Sequence, residues 1–115
     1  MTATELVAAA RRVLVADEPA TRGLWSRIAA HLARQALETA VAEYWDHRSP
    51  GLSSANMRTQ LICLRGWRGD TAVCRRLAFV WSALSEATHG RGGQPGRADL
   101  ESWLEAVEAF HVGSR

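Results

Sequence analysis

Apolar positions recur every three or four residues along almost the whole chain, which is the period of one face of an α-helix. Leu6, Ala10, Val13 and Leu14 share one such face and predict a first helix over about Thr4–Ala16. Thr2 and Glu5 stand at the Ser/Thr-x-x-Glu spacing of a capping box, in which each side chain satisfies an amide of the first turn. Asp17-Glu18-Pro19 should end this helix, because proline lacks the next backbone donor and disfavours helix in the residue before it. A longer stripe follows: Leu24, Ile28, Leu32, Ala36, Ala40 and Tyr44, widened by Trp25, Ala29, Leu37, Val41 and Trp45. It predicts a helix starting near Pro19–Thr21 and reaching about Asp46, roughly 40 Å at 1.5 Å per residue. Arg34 and Glu38, four apart, fall on its surface side.

His47-Arg48-Ser49-Pro50-Gly51 is a turn cluster. After it, Met57, Leu61, Leu64 and Trp67 predict a third helix over about Ser54–Trp67, capped by Ser53 or Ser54, with Gly66 and Gly69 loosening its end. Asp70 is placed to cap a fourth helix that carries Val73, Leu77, Val80, Trp81 and Leu84 and ends around Thr88–Gly90. Leu100, Trp103, Leu104, Val107 and Phe110 predict a last helix over about Ala98–His111, with Asp99, Glu101 and Glu105 in its first turns, where the helix dipole favours acids. Trp25, Trp81 and Trp103 lie on apolar stripes and are expected in the core; Trp45 and Trp67 lie near helix ends and are left open. No segment alternates with a strand's period and no repeat is visible. The fold class expected is all-α, an up-and-down four-helix bundle with an additional helix, as a single domain over residues 1–115.

Composition leaves that picture intact. At 115 residues with 47% hydrophobic and 23% charged positions, the chain has enough apolar material for one core. Its beginning lacks the basic and apolar regions of a signal peptide, and no stretch has the length of a membrane span, so a cytoplasmic protein without membrane contact is expected. All 14 basic side chains are Arg, which with abundant Ala resembles the codon bias of a high-GC bacterial genome and weakens Arg enrichment as a sign of nucleic-acid binding. The charge is unevenly spread. Residues 50–97 hold seven Arg against two acids, a net +5, whereas residues 98–115 hold one Arg against four acids, a net −3.

Two accounts of that asymmetry stand. Arg58, Arg65, Arg68, Arg75 and Arg76, with Arg91 and Arg97 beyond, could bind phosphates, with Trp67 available to stack on a base. Alternatively they pair with Glu101, Glu105 and Glu108 of the last helix, contacts worth little energetically. Cys63 and Cys74 fall inside apolar helical patterns and read as small hydrophobes rather than a disulfide or metal pair. His31, His47, His89 and His111 show no metal-binding spacing, so no metal and no cofactor are expected. His89 closes the fourth helix and opens the Gly-rich segment 90–96. There it is either a cap without further role or, near the carbonyl end that favours its protonated form, an acid/base group.

The stretch Leu77–Phe110, LAFVWSALSEATHGRGGQPGRADLESWLEAVEAF, resembles the HEPN superfamily of small helical bundles. The shared features are an apolar helix ending in Leu-Ser-x-x-x-His-Gly, a loop, and a helix that opens with acids and carries Trp. The motif spans Leu84–Gly90, and the order of helices before it suits that fold. The resemblance implies a homodimer packed around a shared cleft. It also implies a metal-independent endoribonuclease chemistry in which an Arg and a following His act on the RNA 2′-hydroxyl and phosphorane. His89 matches the His. Ala83, Leu84 and Ser85 stand where the Arg should be, Arg76 lies too far upstream, and Arg91 lies on the other side of His89. The absent group is the one that stabilises transition-state charge. The expected function is therefore a non-catalytic HEPN-like binding or accessory module associated with RNA in a defence or toxin–antitoxin setting, with His89, Arg76, Arg91 and Arg97 forming a basic cleft. The alternatives are an endoribonuclease using His89, and a protein-binding helical adaptor whose Trp-rich faces dock a partner.

Overall fold

A computed structural model describes residues 1–16, 23–90 and 93–114. Its helices are α1 (Ala3–Val15), α2 (Trp25–Arg48), α3 (Met57–Arg68), α4 (Thr71–Thr88) and α5 (Arg97–Gly113), with a short 3-10 segment at Pro50–Ser54. Among the described residues there is no strand, so the all-α class holds, as a five-helix globule measuring 44 × 26 × 23 Å.

α1 begins with the anticipated capping box: Glu5 N–H donates to the Thr2 hydroxyl at 3.1 Å, and Thr2 N–H donates to the Glu5 carboxylate at 3.2 Å. The expected break at Asp17-Glu18-Pro19 lies outside the described residues. α2 starts later than its apolar stripe indicated. Gly23 takes a positive φ of 80°, a conformation no helix contains, and Leu24 at its border is half exposed rather than core. At the other end the helix runs through His47 and Arg48 and stops before Pro50, a length of about 36 Å.

α2 is the central element and packs against α1, α4 and α5. Its Ala29, Ala30, Ala33, Ala36 and Ala40 are buried, as are Ala3 and Ala10 of α1. Small side chains on both helices let their backbones approach closely, and the α1–α2 contact is the most extensive in the fold. Leu77, Val80 and Leu84 from α4 and Leu100, Leu104, Val107 and Phe110 from α5 complete the core.

The tryptophans sort differently from their stripes. Trp45, near a helix end, is completely buried, while Trp25, Trp81 and Trp103 are only partly buried at its edge. Trp67 is 58% exposed and lies edge-on against Trp45, with ring centroids 5.8 Å apart.

α3 is capped by Asn56, whose side-chain oxygen accepts from Thr59 N–H at 2.9 Å. Ser53 and Ser54 do not cap it, because their hydroxyls donate to the Pro50 and Gly51 carbonyls of the 3-10 segment. Gly66 sits inside α3, which ends at Gly69 in the left-handed region (φ 75°). Asp70 occupies the N-cap position of α4 but makes no capping bond; its carboxylate is 4.0 Å from Arg68. The two-residue turn Gly69-Asp70 folds α3 and α4 into a helical hairpin.

Candidate functional site

His89 stands at the C-terminal cap of α4, exposed, with ring Nδ1 2.6 Å from the Ser85 carbonyl. A carbonyl only accepts, so in that contact Nδ1 carries the proton and donates to Ser85. α5 begins at the same end of the molecule, where Ser26 of α2 donates to the Pro95 carbonyl at 2.8 Å. Arg97 lies 4.4 Å above the Trp25 ring, a cation–π contact. Arg27, a residue the sequence did not single out, comes within 3.9 Å of where a side chain on Gly90 would begin.

Of the four residues assigned to a basic cleft, Arg91 lies outside the described residues. The end of the fold that carries His89 also carries Arg97. Arg76 is not part of that end. It precedes His89 by about 20 Å along α4, donates to Ser102 of α5 at 2.6 Å, and lies 5.6 Å from the Phe79 ring. Nothing in the described residues gathers these side chains into one cleft.

Arg34 and Glu38 form the i,i+4 pair their spacing indicated, partly exposed and with further partners on α4. Their ion pair at 3.4 Å lies between α2 and α4, where Arg34 donates to the Thr88 hydroxyl at 3.0 Å and Glu38 accepts from the Trp81 indole N–H at 3.3 Å. The sequence signal that could have shown this is Trp81: an indole N–H at a core edge needs an acceptor, and Glu38 is the acid available on the facing helix.

The acids of α5 do not neutralise the Arg-rich middle. Glu108 and Glu101 pair with Arg11 of α1, at 2.9 and 3.9 Å, and the Glu108 contact raises the Arg11 pKa. Among the described residues, no carboxylate lies within 4.0 Å of Arg58, Arg65, Arg75, Arg76 or Arg97.

Two of those arginines, Arg58 and Arg65, flank a groove of about 430 Å³ along the α3–α4 hairpin. Leu61, Ala78 and Trp81 form its floor, and Ile62 stands at its side, 63% exposed. Phe79 on the outer ridge of α4 is 56% exposed. Isolated exposed apolar residues are ordinary; Ile62 differs in standing at an apolar groove flanked by two arginines. α3 contains no acid, and α4 contains only Glu86.

The cysteines carry no chemistry visible in this arrangement. Both are free. Cys74 is buried, its thiol pKa pushed up by that burial, and its Sγ lies 3.7 Å from the Leu64 carbonyl; Cys63 is half-buried. Among the described residues, no three His, Cys, Asp or Glu side chains come together as metal ligands, and no helix is long and apolar enough to cross a membrane. No family model, no curated protein and no solved structure matches this chain.

Proposed function

We propose that this chain is a non-catalytic helical binding module whose partner docks on the α3–α4 face. The observation that carries the reading is the groove on that face: an apolar floor flanked by Arg58 and Arg65, neither of which has a carboxylate partner among the described residues. Uncompensated charge beside exposed apolar surface suits recognition of a partner better than it suits the stability of a monomer.

The HEPN-like assignment belongs to the same proposal, and with it a homodimer and an accessory role in a defence or toxin–antitoxin setting. What supports it is the Leu-Ser-x-x-x-His-Gly sequence at the end of α4, ahead of a loop and an acidic helix start. The non-catalytic form is favoured because the chemistry needs a cation beside His89 that stabilises developing charge. Ala83, Leu84 and Ser85 stand where the resemblance calls for that cation.

A second reading, RNA association, is favoured by one observation: among the described residues Arg58, Arg65, Arg75 and Arg76 on α3 and α4 have no carboxylate within 4.0 Å. One gel assay addresses both. Labelled structured RNA is incubated at low and moderate salt with wild type, His89→Ala and the double variant Arg58→Glu/Arg65→Glu. No cleavage by any of the three is expected. Cleavage by wild type that disappears in His89→Ala would overturn the non-catalytic reading. A salt-sensitive shift lost in the double variant would identify RNA as the partner of this face.

A further inference from the structure

Resting on the binding-module reading, we infer that the α3–α4 groove receives an acidic amphipathic helix from a protein partner. The dimensions come first. Arg58, Leu61, Ile62 and Arg65 succeed one another along α3 over about two turns, or roughly 10 Å. That is the length over which a helix presents apolar anchors at i, i+3 or i+4, and i+7 when it lies in a groove between two others.

The chemistry of the floor selects apolar side chains. Leu61 and Ala78 are aliphatic, as is Ile62 at the side, and the one aromatic, Trp81, donates its indole N–H to Glu38 at 3.3 Å. A nucleobase gains most from stacking on aromatic faces, whereas one aromatic among three aliphatic lining residues suits apolar side chains better.

The charge around the floor selects an acid-bearing partner. Arg58 and Arg65 rise from the α3 side, and Arg75 stands on the outer ridge of α4, all exposed and without a carboxylate partner among the described residues. A second copy of the chain fits less well. A two-fold contact through this face would set the arginines of one protomer against those of the other. The chain's own acidic helix, α5, already commits Glu101 and Glu108 to Arg11. A foreign helix with Leu-type anchors on one stripe and Glu or Asp along its flanks meets both requirements.

The test is fluorescence anisotropy with a labelled model peptide of about five turns, Leu at i, i+3, i+4 and i+7, with Glu along its flanks and Ala and Gln elsewhere. Control peptides replace Glu by Lys, or Leu by Ser. Wild type is expected to bind the acidic amphipathic peptide and neither control. Arg58→Glu/Arg65→Glu is expected to weaken binding by on the order of tenfold or more. Ile62→Ser, at an exposed position, is expected to weaken it severalfold while circular dichroism and Tm stay at wild-type values.

Failure of wild type to bind the peptide, equal binding of the Lys control, or binding indifferent to the double variant would each overturn the inference. Sedimentation of the protein alone is run in parallel. Self-association abolished by Arg58→Glu/Arg65→Glu would name a second copy as the occupant and overturn it as well. A salt-sensitive RNA shift lost in the double variant, with no peptide binding, would overturn the acidic-helix occupant and leave the binding module standing. RNA cleavage dependent on His89 would instead bring down the binding-module reading itself.

Discussion

At the scale of single residues, chemistry follows burial and partners more than residue type. Cys74 is buried with its thiol pKa raised, and Cys63 is half-buried on the neighbouring helix. A thiol-specific reagent is therefore expected to modify one cysteine quickly and the other only as the protein unfolds; a mass spectrum of partially modified protein showing both labelled at equal rates would contradict this. The tryptophans show why sequence alone misplaces such residues. Helical spacing puts Trp25, Trp81 and Trp103 on apolar stripes, yet a stripe has edges, and all three lie at the edge of the core. Trp45 is completely buried and meets Trp67 of α3 edge-on, a contact of tertiary packing that the period of one helix does not encode. His89 was legible as a helix-closing residue for the opposite reason. The capping position is set within a few residues, by the end of the apolar stripe and the following glycines.

At the scale of elements, the start of α1 and the end of α3 make separable contributions. In α1 the Glu5 carboxyl is held below its usual pKa, first by the backbone N–H of Thr2 and then by the Thr2 side chain. A carboxyl whose pKa is depressed on folding contributes stability above its unfolded pKa, about 4.3, and loses it as pH falls through the lower folded value. The Tm advantage of wild type over Glu5→Gln should accordingly be constant from neutral pH to about pH 5 and shrink towards pH 3. Thr2→Ala, which removes the other half of the box, is expected to cost about 1 kcal/mol by denaturant melts. Gly66 and Gly69 provide a contrast within α3. Neither has an atom within 4 Å of an added side chain, so backbone conformation alone decides the outcome. Gly66 is helical, and Gly66→Ala is expected to stabilise by roughly 0.5–1 kcal/mol. Gly69 has φ 75°, and Gly69→Ala is expected to destabilise by about 1 kcal/mol. The same sign for both would contradict the assignment of Gly69 as the left-handed cap. In the sequence the two glycines look alike, since residue type does not reveal which of two nearby glycines carries the positive φ. Ser53 or Ser54 also looks like the α3 cap there, because nothing in it foreshadows a 3-10 segment that uses those hydroxyls before Asn56.

At the scale of the whole molecule, the all-helical class and the order of the helices were readable from periodicity because each helix keeps one continuous apolar stripe. The proposed docking surface was only half readable. The surplus of arginine between residues 50 and 97 was visible as composition, but whether α5 neutralised it depended on which helix faced which. Arg11 of α1 takes Glu101 and Glu108 of α5, a pairing across 97 positions for Glu108, and among the described residues Arg58, Arg65, Arg75 and Arg76 of the α3–α4 hairpin have no carboxylate within 4.0 Å. The apolar groove was not visible at all. Leu61 and Trp81 read as core positions of two separate helices, and Ile62 did not stand out. Only the hairpin turn at Gly69-Asp70 brings them side by side.

In the function proposed, partner binding occurs on the α3–α4 face and not around His89. The measurement that tests it most directly is amide chemical-shift mapping of isotope-labelled protein titrated with the acidic amphipathic peptide. Perturbations concentrated at Arg58, Ile62, Arg65, Ala78 and Ser82, with the amides of Arg27, His89 and Gly90 unmoved, are the expected result. Perturbations centred on Arg27, His89 and Gly90, with the α3–α4 groove silent, would contradict the account.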